Sequence, residues 1–232
     1  MLKVLKRLLY KLPNNPTSES DFKDYRKNFD RAVAFTHACG GVAKDISWAD
    51  GRLGEDEGDK IEQAFRTAGV KDPSKSAFQC LKWCHYLVPF IESELKRPVQ
   101  VTIGQLWKED QPAFNPSWRN LKDWSESGLT FKHIHDEGRS GINLHAWLTV
   151  DTGEIIELSL LSSLATISPD QLSEWRGGVA WGSPNEILEG YRYYPMAVGR
   201  EFAEALDKNR ELALIAHTPA ELHTYSCALV PN

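Results

Sequence analysis

The segment NLHAWLTVDTGEIIELSL, residues 143–160, decides the fold because it predicts an antiparallel hairpin. Its two β-prone runs flank the loop DTG at residues 151–153, and a three-residue hairpin loop favours glycine at its left-handed position, here Gly153. The loop places Val150 opposite Glu154, and a shift by one residue would mix the two faces. One face is then entirely apolar and carries Leu144, Ala146, Leu148, Val150, Ile156, Leu158 and Leu160.

The other face of the hairpin carries a histidine and a carboxylate. In this register His145 and Glu157 are diagonal neighbours, whose β-carbons lie about 7–8 Å apart. A carboxylate bonded to one imidazole nitrogen fixes the tautomer and leaves the other nitrogen free to act as a base. The alternative is a half-exposed face on which both side chains simply contact water.

A thiol that could use such a base lies in a helix predicted over residues 76–96. Cys80 and Cys84 share one stripe of this helix, and Cys80 lies nearer its start. The partial positive charge of a helix N-terminus favours a reactive thiolate, and the effect fades within one turn. The alternative is that both cysteines are ordinary core residues.

The chain resembles the papain-like cysteine hydrolases and acyltransferases in the order of its elements. A helix that begins near a cysteine is followed by a strand, and then by a hairpin that carries HAW (residues 145–147) and a carboxylate. The pattern is closest to their transglutaminase-like and amidase branches. The resemblance implies a helix packed on an antiparallel sheet, with Cys80 as nucleophile, His145 as base and Glu157 as the orienting acid. Cys84, followed by His85, resembles an alternative start and is the alternative nucleophile. The sequence departs from the family pattern in having no small-residue motif around Cys80 and Glu in place of Asp.

Other site residues follow from the same chemistry. An oxyanion hole would use the backbone N–H of Cys80 and a second donor, for which the candidates are Gln79, Gln105 and Asn143. Trp83, Trp107 and Trp147 are candidate substrate-binding walls of the cleft, with plain packing as the alternative.

The order of predicted elements indicates an α+β protein forming a single domain over residues 1–232. We expect a helical N-terminal lobe at 1–70, a papain-like core at 76–160 and a helical C-terminal extension at 161–232. Within these parts, residues 99–103 are predicted as a strand, 133–135 as a strand end, and 168–175 and 200–213 as helices.

Composition limits the partners of the protein. The net charge of −5 argues against a general binder of nucleic-acid phosphates, and no apolar run is long enough to span a membrane. Four cysteines are too few and too scattered for a disulfide framework, which favours a reducing compartment. Without a conventional secretion signal we expect a cytoplasmic protein, with signal-independent export left open. No cofactor motif is present, so no cofactor is expected.

The sequence thus favours a thiol-dependent amidase, peptidase or transglutaminase-like enzyme that acts on a peptide or protein amide and uses no metal. A non-catalytic protein-binding module on the same scaffold is a second hypothesis. A zinc-stabilised domain is a third, with the ligands drawn from Cys80, Cys84, His85, His133 and His135.

Overall fold

A computed structural model describes residues 10–44, 46–139 and 141–224 of the chain. Their fold is α+β, as predicted, with an antiparallel sheet of six strands in these ranges. The strands are β1 (Val99–Lys108), β2 (Gln111–Phe114), β3 (His145–Val150), β4 (Ile155–Glu157), β5 (Ala180–Gly182) and β6 (Tyr191–Val198).

The long strand β1 lies at the centre of the sheet. Its first half pairs with β3 and its end pairs with β2, while β6 pairs with residues 102–108. Because a strand has only two edges, β6 occupies the edge opposite β2 and β3. The sheet continues from β3 through β4 to β5.

Helices surround this sheet. Within the described ranges they are α1 (Tyr25–Ala38), α2 (Asp56–Thr67), α3 (Cys80–Leu95), α4 (Trp118–Ser127), α5 (Phe131–Asp136), α6 (Leu160–Ile167), α7 (Pro169–Leu172), α8 (Arg200–Leu206) and α9 (Pro219–Leu222). Helix α3 packs against β1 and β3, and α1 packs against β6. None of these helices is long and apolar enough to cross a membrane.

The predicted hairpin register is confirmed. Leu148 pairs with Ile156 and Thr149 with Ile155, which places Val150 opposite Glu154 as expected. Gly153 has a φ of +81°, the left-handed conformation that the loop requires. Every residue of β3 and β4 is buried, so the face that carries His145 is covered rather than half-exposed.

The helical C-terminal extension predicted at 161–232 contains helices but also the strands β5 and β6, so the prediction is incomplete. The strand predicted at residues 99–103 is longer than expected, because β1 continues through Gly104 to Lys108. At this position β6 approaches so closely that a β-carbon on Gly104 would lie 2.0 Å from the Tyr194 carbonyl oxygen. Glycine therefore permits the β1–β6 pairing instead of ending the strand.

Three local expectations also change. Residues 133–135 lie in α5 instead of at a strand end, and the helix predicted at 200–213 ends at Leu206. The helix predicted from residue 76 begins at Cys80, preceded by a 3-10 turn at Pro73–Ser76. Its later start places Cys80 at the first helical position. The N-terminal lobe is helical in its described part, with α1, α2 and a 3-10 turn at Glu19–Phe22.

Candidate active site

Cys80 is the first residue of α3, and Gln79 is its N-cap. The first N–H groups of a helix have no carbonyl partner within it and give this end a partial positive charge. Phe78, which precedes the N-cap residue Gln79, has a φ of +59°, a conformation rare for a residue with a large side chain. Its backbone N–H donates to Ser163 Oγ at 2.8 Å, which fixes the turn that delivers Cys80 to the helix.

His145 and Glu157 form a buried hydrogen-bonded pair. His145 Nε2 lies 2.7 Å from Glu157 Oε2, and the two residues are 2% and 0% exposed. Cys80 and His145 line the same small cavity, and Cys80 is close enough to His145 to raise the pKa of its imidazole. Since Nε2 is engaged by the carboxylate, Nδ1 is the ring nitrogen left for the thiol. The structure thus brings together the three residues that the sequence predicts as nucleophile, base and acid.

The charges of this pair support each other. Burial raises the pKa of a carboxyl group, but at Glu157 the adjacent His145 and two backbone N–H donors outweigh it, and the pKa lies below its usual value. Burial lowers the pKa of an imidazole, but Glu157 and Cys80 outweigh it and raise the pKa of His145 to about 10. The pair is therefore ionised near neutral pH.

Glu157 is held at both of its oxygens. Oε1 accepts from the backbone N–H groups of Ser159 and Leu160, each at 3.0 Å, where α6 begins. Oε2 accepts from the Tyr193 hydroxyl at 3.1 Å as well as from His145. Sequence reasoning missed this contact of Tyr193, because it depends on the long-range pairing of β6 with β1.

Aromatic rings hold the imidazole of His145 in place. Phe114 stacks on it with ring centroids 5.5 Å apart, and Trp147 does so at 5.9 Å. A ring enclosed in this way keeps one orientation toward Glu157 and Cys80.

Cys84 is a poorer nucleophile than Cys80 in this structure. It lies one turn further into α3, is fully buried, and burial raises its pKa well above the usual value. The adjacent His85 has Nδ1 3.0 Å from the Ala216 carbonyl oxygen and Nε2 3.1 Å from Glu204, so it is engaged away from both thiols. Cys39 is half-buried, and Cys227 lies outside the described residues.

A small apolar cavity adjoins the thiol. Its volume is about 10 Å³, room for about one water molecule. Four lining residues come from one stripe of α6, at the i, i+3, i+4 and i+7 positions of a helix. The full lining is Phe78, Cys80, Phe114, His145, Ser159, Leu160, Ser163, Leu164 and Ile167. The helical spacing from 160 to 167 is visible in the sequence, but the prediction of residue 160 as strand concealed it.

The three predicted oxyanion donors differ in position. Gln79 adjoins Cys80 and is buried. Gln105 donates from its side-chain amide to the Pro116 carbonyl and accepts from Trp107, so both of its polar ends are occupied. Asn143 Oδ1 accepts from the backbone N–H of Asn115. Of the three, Gln79 is the one next to Cys80 in the chain.

The three predicted tryptophans do not line the cavity. Trp83 packs against Phe65, and Trp107 packs against Phe22. Trp147 lies beside His145 but donates its indole N–H to the Tyr25 hydroxyl at 2.6 Å. These contacts favour the alternative, plain packing, for the three rings. Phe78, Phe114 and four side chains of α6 line the cavity instead.

The proposed zinc ligands are not assembled in the structure. The side chain of His135 is 92% exposed, and His133 contacts Thr130 through Nδ1. Among the described residues, no group of three or more His, Cys, Asp or Glu side chains is arranged to hold a metal ion.

No protein-family model matches this chain, and comparison with curated proteins and with solved structures found no match. The chemistry of the site is therefore inferred from the geometry of Cys80, His145 and Glu157.

Proposed function

We propose that the protein is a cysteine-dependent acyl-transfer enzyme of amidase, peptidase or transglutaminase type, with a papain-like core. The observation that carries this proposal is His145, which is bonded to Glu157 through one nitrogen and contacts Cys80 at a helix N-terminus. A buried acid, an imidazole and a thiol in this sequence are the parts of an activated cysteine nucleophile.

The papain-like core is supported by the connection of these elements. Cys80 opens a helix that packs against the sheet, and β1, β3 and β4 follow it along the chain. His145 is the first residue of β3, and Glu157 is the last residue of β4. This order agrees with the resemblance noted in the sequence.

The reaction begins with an ion pair between the Cys80 thiolate and the His145 imidazolium. An imidazolium stabilises a neighbouring thiolate, which is the nucleophilic form of cysteine. The Cys80 sulfur attacks the carbonyl carbon of an amide, and the oxyanion accepts hydrogen bonds from the Cys80 N–H and a second donor, for which Gln79 is the candidate. His145 then gives its proton to the departing amine as the C–N bond breaks, leaving a thioester.

His145, now neutral, takes a proton from the incoming nucleophile as that nucleophile attacks the thioester. Water gives hydrolysis, and an amine gives transfer to a new amide. In both cases the Cys80 sulfur leaves as a thiolate and the proton on His145 restores the ion pair. Glu157 keeps the ring oriented throughout and does not leave its hydrogen bonds.

The substrate we propose is a peptide or protein amide, because an amide presents the carbonyl carbon that a thiolate attacks, and no nucleic acid, because the net charge is −5. A nucleophile that must remain a free thiol fits a reducing compartment such as the cytoplasm.

Alkylation with iodoacetamide at neutral pH, followed by peptide mass spectrometry, tests the nucleophile. We expect Cys80 to react at least about tenfold faster than Cys39, although Cys39 is more exposed, because reactivity follows thiolate character. A Cys84→Ala variant serves as the matched control and should retain the fast phase, whereas Cys80→Ala should lose it.

Uniformly slow labelling of all thiols would contradict the enzyme hypothesis and favour a non-catalytic binding module. A fast phase that disappears in Cys84→Ala would contradict only the choice of nucleophile.

A further inference from the structure

Tyr193 contacts the acid of the site from a strand that is distant in sequence. It lies on β6, is 1% exposed, and its hydroxyl donates to Glu157 Oε2 at 3.1 Å. The same oxygen accepts from His145 Nε2 at 2.7 Å. Two donors from different strands therefore meet at one carboxylate oxygen.

The other hydrogen bonds of Glu157 do not by themselves hold Oε2 in place throughout the reaction. Ser159 and Leu160 donate only to Oε1, and both belong to the segment directly after Glu157. The other oxygen, Oε2, accepts from two side chains, and one of them, His145, loses and regains its positive charge during the reaction. Tyr193 is the neutral donor at Oε2, so its hydrogen bond persists in both protonation states of the imidazole.

We propose that Tyr193 is a positioning residue of this site, whose hydroxyl holds Glu157 so that Oε2 remains aimed at His145. This inference rests on the proposed function, because it assigns Tyr193 a part in orienting the base. Tyr193 is not one of the residues that line the cavity, and its hydroxyl acts on the site through Glu157.

The aromatic ring of Tyr193 has a separate packing role. Its centroid lies 5.2 Å from that of Trp147 and 6.0 Å from that of His145. A test of the hydroxyl must therefore retain the ring, which Tyr193→Phe does.

Tyr194→Phe provides a matched control. Tyr194 is the next residue of β6, is also 1% exposed, and its hydroxyl accepts from Arg31 at 2.8 Å. Each variant thus removes one hydroxyl that is bonded to a charged side chain, but only Tyr193 is linked to Glu157.

The measurement is the rate of Cys80 alkylation as a function of pH. Without the Tyr193 hydroxyl, Oε2 of Glu157 is less firmly aimed at His145, so the imidazolium that supports a thiolate at Cys80 is less stabilised. We expect Tyr193→Phe to move the acid limb of the profile upward by about one pH unit and to slow alkylation at neutral pH about threefold to tenfold. Tyr194→Phe should change neither.

Identical pH profiles for the two variants would overturn the role of Tyr193 and leave the proposed function intact. If wild-type Cys80 shows no selective labelling, the proposed function itself fails, and the two failures are therefore distinguishable.

If Tyr193→Phe does not fold, the wild-type chain with 3-fluorotyrosine incorporated at position 193 alone replaces it. Fluorination strengthens the hydroxyl as a donor and keeps the ring, so the acid limb should move to lower pH. An unchanged limb would overturn the inference.

Discussion

Glu157 illustrates how a carboxylate stays ionised at a fully buried position. It accepts two backbone N–H groups at one oxygen and a hydroxyl and an imidazole at the other. Unpaired burial of a charge is costly, but a carboxylate with several donors and a cation has these costs offset. The same contacts give the imidazole of His145 one orientation, with one nitrogen left for Cys80.

His145→Ala tests the base at this scale. The variant removes the cation beside Cys80, so alkylation at neutral pH should slow by at least about tenfold. His135→Ala is the control, because the side chain of His135 is 92% exposed and remote from the cavity lining. Circular dichroism should show that both variants are folded.

Equal alkylation rates in the two histidine variants would remove His145 from the site. A rate that falls together with helical content would instead report a folding defect, so the comparison is made only on folded protein.

At the scale of elements, α6 is the structure that covers the thiol. The backbone N–H of its first residue, Leu160, donates a hydrogen bond to Glu157. One stripe of the helix, from Leu160 to Ile167, forms a wall of the cavity. Its main packing is against α7 and the 3-10 turns at Pro73–Ser76 and Ser173–Trp175. Ile167 is 52% exposed, which places the outer end of this wall at the surface. A substrate larger than one water must displace part of the wall.

Leu164→Ala tests whether this wall limits access. Removing three carbon atoms from the half-buried Leu164 should speed alkylation of Cys80 about threefold with iodoacetamide, and more with the bulkier N-phenylmaleimide, because interior packing leaves little free space. Stability should fall by about 1 kcal/mol, less than for a fully buried leucine. The matched control is Leu188→Ala, a half-buried leucine away from the cavity.

If both leucine variants label at the wild-type rate with both reagents, α6 does not control access. The bulkier reagent is the sharper probe, since its rate depends more strongly on the width of the opening.

At the scale of the whole molecule, local sequence patterns predicted the β3–β4 hairpin but not the long-range pairing of β6 with β1. The alternation around Gly153 fixed the relation of His145 to Glu157, because register follows from loop length and from one apolar face. The pairing of β6 with β1 could not be predicted in this way, since it joins residues some 90 positions apart through a close approach at Gly104. The contact of Tyr193 and the positions of the tryptophans depend on that pairing.

The two ionised groups also give the fold a pH dependence. The pKa of His145 is raised to about 10, so its contribution to stability is complete below the ordinary histidine pKa of 6.5 and is lost as the pH rises through 10. The pKa of Glu157 is lowered, so its contribution is present above 4.5 and is lost as the pH falls further. Both contributions are complete together only between about pH 4.5 and 6.5; from there to about pH 10 the contribution of Glu157 stays complete and that of His145 declines.

A double variant, His145→Phe with Glu157→Gln, separates the pH-dependent contribution of the two ionised groups from the contribution of packing. Phenylalanine keeps the stack with Phe114, and glutamine still offers an acceptor to Tyr193 and Ser159. We expect the free energy of unfolding of wild type, measured by urea denaturation, to fall relative to the variant between pH 7 and 10, by up to about 1.4 kcal/mol per pH unit. Replacing a buried ion pair can itself raise or lower stability, so the slope and not the offset is diagnostic. Parallel curves across this range would mean that the pair is not ionised in the folded protein.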